Sequence, residues 1–554
     1  MRSICFVGAI ALTASAAAQE TVRVSVDSSG AEAGGTTYEC SISGDGRYVA
    51  FTSDASNLVA GDANGSWDVF VRDRTTGVTE CVSVDSSGAI GDGPSYEPWL
   101  SADGQVVVFV SQATNLVSGD ANGVSDVFVR DRGTGVTERV SKSSLGVEAN
   151  GLSYLPSISG DGAVVAFTSY ANDLVGGDGN GRADVFVRLL STGVTERVSS
   201  SSAGAEGNGN SGYYAPAGLS RDGAIVAFFS GASNLVAHDT NGWSDVFVRD
   251  RSTGTTERVS VDSTGAQGND ASYSASLSAD GRLVAFDSSA SNLVAGDTNR
   301  ATDVFVRDRS GGTTERVSVD ASGTQASGVS HTPLLCADGT VVAFTSDAAD
   351  LVAGDTNGCS DAFVRNLASG TTIRRSVDSA GVQGDAASRA PSLSSDGQDV
   401  AFVSDATNLV ANDANGFADA FMHEGCSTLA SWSNYGAGFP GTRGIPAFTA
   451  RSNPGLGTTV TLDLENSYGS FTVGLLFVGL QRASIHSSFG GDLLVAPVVT
   501  LLVGIDAGGL APTGDIAHDD SLCGTVVDLQ ALENDPGAAK GVSFTAGLEL
   551  VFGH

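Results

Sequence analysis

Seven short acidic tracts carry the residue types best suited to holding a hard cation. Their fullest form is Asp-x-Asn-Gly-x-x-Asp-Val-Phe. Each supplies two carboxylates and an amide: Asp62, Asn64 and Asp68; Asp120, Asn122 and Asp126; Asp178, Asn180 and Asp184; Asp239, Asn241 and Asp245; Asp297, Asn299 and Asp303; Asp355, Asn357 and Asp361; Asp413, Asn415 and Asp419. Several oxygens on a tight turn, with Gly permitting the bend, are what calcium takes as ligands. A second set of candidates consists of Tyr38, Tyr96, Tyr154, Tyr214, Tyr273, His331 and Arg389, which recur once per tract. Aromatic rings with polar tips stack on sugars or grip peptide segments.

The tracts follow one another at steps of 58, 58, 61, 58, 58 and 58 residues. A period of this length means that one supersecondary unit is copied, and that no copy buries its apolar face alone. The second copy shows the unit. Residues 95–101 read as a short strand, and Asp103-Gly104 as a tight turn in which Gly supplies the positive φ. Val106 to Val110 form a second strand. The acidic loop follows, then a third strand at 126–130 and a fourth at 136–141. Four short antiparallel strands per copy make a propeller blade.

The outer strand follows copies one to six but is missing from copy seven. Thr21-Val22-Arg23-Val24-Ser25-Val26 is such a strand with no blade before it. The expected fold is therefore all-β: a seven-bladed β-propeller over residues 19–425, with the N-terminal strand closing blade seven. Closure removes the exposed edges of an open array. Because strands alternate in direction, the acidic loops and the inter-blade linkers must share one face. The tyrosines stand at the start of the inner strand, at the channel mouth on that face. The alternative for them is a scaffold role between blades. His331 and Arg389, which break the series, are the better functional candidates.

Leu277-Ser278-Ala279-Asp280-Gly281-Arg282-Leu283-Val284-Ala285-Phe286, followed by Asp303-Val304-Phe305-Val306, resembles the WD40-like (PD40) β-propeller repeats of the TolB type. The resemblance covers residues 21–423 and implies a fold more than a function, since such repeats occur in Tol-system periplasmic proteins and in peptidase-associated propellers. The acidic tract is similar to the latter part of the calcium loops of integrin-type propellers. The first acidic position of those loops is missing here, where Ala60, Ser118, Gly176, Ala237, Ala295, Ala353 and Ala411 stand. Two carboxylates and an amide imply calcium affinity on the order of 10⁻⁴ to 10⁻³ M. The alternative is a metal-free Asx turn that starts the third strand.

Residues 1–18, with Met1-Arg2, an apolar run and a small-residue end at Ala18, read as a secretory signal peptide. The mature protein is expected to be exported, whether extracellular, on the cell surface or periplasmic, with no transmembrane segment, and monomeric. A net charge of −34 argues against nucleic acid as a partner. Residues 426–554 alternate β-rich runs with Gly/Pro turns and read as a β-sandwich. The segment from Tyr435 to Thr442, with Leu493 to Pro497, is similar to a tail module on many exported bacterial proteins. Of six mature cysteines, Cys426 and Cys523 lie beyond the repeats and are candidates for pairing.

No nucleophile elbow, phosphate loop or His-ligand spacing is present. The leading expectation is an exported, non-enzymatic binding or scaffold propeller. It would meet a protein or glycan partner on its acidic face, with Ca2+ as the one cofactor to consider. The alternatives are a secreted hydrolase or lyase acting on polysaccharide or a lactone at the channel mouth, and a TolB-like cell-envelope component.

Overall fold

Hydrophobic periodicity changes every few residues along the repeats, and the computed structural model follows it. The structure describes residues 19–425, 431–455, 458–487, 492–516 and 525–552. The expected signal peptide, Cys426 and Cys523 lie outside the described residues. Two compact units are formed, one of them Glu20–Glu424 and the other beginning at Gly425.

The first unit is seven four-stranded antiparallel sheets. Blade one runs Thr37–Ile42, Tyr48–Ser53, Asp68–Asp73 and Val78–Cys81. Blades two to six repeat it. The second strand is largely apolar or small and is buried along most of its length in every copy, for example Val164–Ser169; blade five alone places an acid in it, Asp287. The third strand pairs with it so that a phenylalanine meets a phenylalanine. Phe51 lies opposite Phe70, Phe109 opposite Phe128, and Phe286 opposite Phe305. Their ring centroids are 5.7–5.9 Å apart. This pair is the core of each blade.

Blade seven is closed by the N-terminus. Thr21–Arg23 pairs antiparallel with Asp419–His423, with Thr21 opposite His423, Val22 opposite Met422 and Arg23 opposite Phe421. The paired stretch is shorter than the six residues expected, although the Val24 N–H still donates to the Ala420 carbonyl. Two rings of hydrogen bonds run through all seven blades. On the outside, a threonine hydroxyl of each outer strand donates to the preceding linker: Thr79 to Val26, Thr137 to Val84, Thr195 to Lys142, Thr256 to Ser200, Thr314 to Val261, Thr372 to Val319, and Thr21 to Val377. Around the axis, backbone N–H groups donate blade to blade. They run from Gly44 to Ala102, Ala102 to Gly160, Asp161 to Arg221, Arg221 to Ala279, Ala279 to Ala337, Ala337 to Ser395, and Ser395 back to Gly44, all at 2.7–3.0 Å. The seam is therefore bonded like every other blade junction.

The inner strands carry a bulge. In blades two, three, six and seven the register slips between Tyr96 and Trp99, Tyr154 and Ser157, His331 and Leu334, and Arg389 and Ser392. Pro98, Pro156, Pro333 and Pro391 sit in these slips, where no ladder N–H is required. Glu97, Leu155, Thr332 and Ala390 beside them have φ of 49–56°, an uncommon conformation for a side-chain-bearing residue. Blade four has three extra residues, and its inner strand shrinks to Gly218–Leu219.

In the second unit, a six-stranded sheet contains the long strands Thr472–His486 and Asp492–Ile505, and a three-stranded sheet contains Phe448–Ala450 and Thr459–Leu464. Phe448, Leu462 and Leu464 from the small sheet join Leu476, Val503, Leu529 and Leu548 from the large one in a single buried cluster.

Candidate functional site

The acidic tracts are built alike. The last aspartate of each starts the third strand and is fully buried, as at Asp68, Asp126, Asp184, Asp245, Asp303, Asp361 and Asp419. Its Oδ1 accepts the hydroxyl of a serine just beyond the outer strand at 2.5–2.6 Å: Ser83, Ser141, Ser199, Ser260, Ser318, Ser376 and Ser25 in turn. Its Oδ2 accepts the amide Nδ2 of the tract asparagine at 2.6–3.3 Å. The asparagine Oδ1, the atom that would ligate a metal, accepts the backbone N–H two residues on. The Asx turn expected as the alternative is thus present in every copy. In copy five Arg300 stands where the others have Gly, and it takes the same left-handed turn with φ 58°.

Between the first and last aspartates of six tracts lies a guanidinium. Arg139 Nη1 is 3.5 Å from Asp120 and 3.4 Å from Asp126, and it also pairs with Glu148. Arg197 stands likewise against Asp178, Asp184 and Glu206. Arg258 bridges Asp239 and Asp245, Arg316 bridges Asp297 and Asp303, and Arg374 bridges Asp355 and Asp361. In blade seven the closing strand delivers Arg23 to Asp413, Asp419 and Glu32. The position a calcium ion would take is held by a protein cation, and the asparagine presents nitrogen to the carboxylate. In six tracts an ion would have to displace that guanidinium, although in three of them the carboxylates, such as Asp120, Asp126 and Glu148, stand within 4.8 Å of one another. Sequence reading missed this arginine because it lies a strand away, in the Thr-x-Arg of the outer strand.

Blade one differs. Cys81 occupies the arginine position, and Ile90 the position of Glu148. Asp68 there is pushed up to about 6 by burial, and burial also raises Asp62. In Asp126, Asp184, Asp245, Asp361 and Asp419 burial again raises the carboxyl, in Asp419 to about 6, while the nearby arginine opposes it.

The aromatic residues gather at the channel mouth on the tract face, and tract residues join them. Trp67 lies 6.4 Å from both Tyr38 and Tyr96. Tyr154 stacks on Tyr170 at 6.2 Å. Tyr213, Tyr214, Phe229 and Tyr273 form one cluster in the widened blade four. Most of these rings are half-buried between blades, whereas Tyr38 and Tyr214 are 56% and 68% exposed. His331 is partly buried, which lowers its pKa. Arg389 is engaged by Asp405 at 2.8 Å.

Behind the rim lies a cavity of about 300 Å³, walled by residues of all seven blades. Its polar lining includes Glu39 and Glu97, which stand one residue past Tyr38 and Tyr96. Glu39 accepts the Glu97 N–H at 2.9 Å, and Glu97 accepts the Leu155 N–H at 2.6 Å. Burial raises both carboxyls, Glu97 to about 7, with Glu39 adding to the shift of Glu97. A second cavity of about 320 Å³, with a largely aliphatic wall that includes Ile42, Leu100, Ile158, Leu277, Leu335 and Leu393, lies further along the inner strands.

No family model and no curated protein matches the sequence. Solved structures do. A protein described as TolB from Agrobacterium tumefaciens is 15% identical, aligned over 62% of this chain and 93% of its own, with a TM-score of 0.34. The WD40 repeats of RRP9 are 9% identical over 74% and 98%, with a TM-score of 0.37. An acylaminoacyl peptidase is 8% identical over 88% and 66%, with a TM-score of 0.43. Likeness at this level assigns no activity. The propeller stands on the chain's own sheets.

Proposed function

We propose that this is a binding propeller whose partner, a protein or a glycan, docks on the tract face at the channel mouth. The observation that carries the reading is where the repeats stop being alike. Core phenylalanines, buried aspartates, inter-blade threonines and capping serines recur around the ring. Several departures meet at one place: Glu39, Glu97, the three-residue insertion that exposes Tyr214, His331 and Arg389. A scaffold alone has no reason to vary there.

A binding role also suits the absence of assembled catalytic groups among the described histidines. His238, His331 and His486 lie on separate elements, and His423 is buried beside the Thr21 hydroxyl at 2.7 Å. No helix among the described residues is long and apolar enough to cross a membrane. The exported, envelope-associated location belongs to the same proposal. Arrays of peptides and glycans probed with the full chain and with Tyr214→Ala test it. Hits weakened by the substitution support it, and hits indifferent to Tyr214→Ala and Tyr38→Ala would end it.

A further inference from the structure

The rim cavity holds two carboxyl groups that no lysine or arginine among its lining residues meets. Glu39 and Glu97 each commit one oxygen, Oε2, to a backbone N–H of the wall. No lysine or arginine lines the cavity, and Arg389 at the rim is spent on Asp405. Across the cavity from blades one and two, Ser274 and Thr332 form part of the wall. Close to both lies Asp287, which is only 5% exposed and whose Oδ1 has no partner. The equivalent residues in the other blades are Thr52, Val110, Thr168, Phe229, Thr345 and Val403, so this carboxylate is no part of the repeat. Buried carboxylates are ordinarily paired or fully hydrogen-bonded. Two departures from the repeat therefore put acids on the cavity wall, and a third puts one behind it, with no lysine or arginine among the lining residues.

The rest of the wall decides which cation fits. Trp99, Tyr214 and the prolines at the bulges are apolar or aromatic. A bare divalent ion needs six or more oxygens and gains nothing from such a wall. An alkyl chain ending in a charged nitrogen uses both parts: the stem packs on Trp99 and the prolines, the ring of Tyr214 faces the cation, and the head meets the carboxylates. We propose that the channel cavity binds an organic cation, a primary ammonium or guanidinium on an aliphatic stem, such as the side chain of a lysine or arginine presented by a partner. The inference rests on reading the rim as the docking face and names the chemistry recognised there.

The test is calorimetric titration of the full chain with n-butylammonium, using 1-butanol and calcium chloride as separate arms. The ammonium is expected to bind with Kd on the order of 1 mM, the range open to so small a ligand. Glu39→Gln and Glu97→Gln should each weaken it about tenfold, which is one charged contact. Both retain an oxygen for the wall N–H groups, so thermal melting should be unchanged. Glu138→Gln, on an outer strand, should bind as the parent does. Butanol binding as well as the ammonium, calcium displacing the ammonium, or indifference to both glutamate substitutions would each overturn the inference. If array hits depend on Tyr214 while the ammonium does not bind, the docking face stands and the cation site falls. If neither binds, both fall.

Discussion

Blade one lacks the outer-strand arginine that stands against the other six acidic loops, and restoring it should stabilise the protein. Asp68 is completely buried and its carboxyl is pushed from 3.8 to about 6 by that burial. Keeping it ionised at pH 7 costs about 3 kcal/mol at 1.36 kcal/mol per unit of displacement. In Cys81→Arg, a guanidinium would stand between Asp62 and Asp68 as Arg139 stands between Asp120 and Asp126. Burying the guanidinium consumes part of the gain. The net expectation is about 1–2 kcal/mol, or a Tm rise of a few degrees. Ile90→Gln added to it supplies the partner that Gln267 and Gln325 supply elsewhere. The pH dependence separates this cause from better packing. Asp68 holds its proton more tightly when folded than unfolded, so its penalty is full above about pH 6 and fades as the pH falls toward 4. The advantage of Cys81→Arg should therefore be largest at pH 7–8 and gone near pH 4. Thermal melts of both proteins across that range decide it. A variant less stable at pH 7, or a gain that does not vary with pH, would refute the reasoning.

Chelation should leave the protein nearly untouched. With six loops tied by arginine, removing divalent ions is expected to move Tm by less than about 1 °C, and a calcium-dependent rise of several degrees would contradict that. Arg23→Ala removes the cation from Glu32, Asp413 and Asp419 and should cost about 3–5 kcal/mol, the usual penalty for stranding buried charge. Hydrogen exchange at Ala420, whose carbonyl and N–H face the closing segment, should rise with it. Phe305→Ala, in the blade-five ring pair, should cost about 3–5 kcal/mol by urea unfolding, with no shift in the position of the seam.

Closure and blade count could be read from the residues because they follow from counting. An outer strand without a blade and a blade without an outer strand have one economical solution, and the pairing of Thr21–Arg23 with Asp419–His423 realises it. That the tyrosines lie beside the loops was legible for a similar reason, since strand direction alone puts them there. Trp67 and Tyr170 were not. They enter the rim from a loop whose length fixes no direction, and their partners Tyr96 and Tyr154 are found only in space.

The loops teach the opposite lesson. Two aspartates and an asparagine at that spacing suit a metal or an Asx turn equally well, and the tract contains no residue that chooses between them. The choice is made by Arg139 and its equivalents on a neighbouring strand, which became visible as partners only once the sheet register was known. Glu39 and Glu97 show where such a signal was available. Aligned by repeat, their column reads Glu, Glu, Leu155, then Ser274, Thr332 and Ala390 in blades five to seven. A column without a preferred residue looks like a surface position. The bulge turns it inward, and what reads as drift becomes a pair of carboxylates facing a cavity. Repeats hold the scaffold constant, so specificity has to be written in the columns that vary. In this propeller several of those columns meet at one cavity.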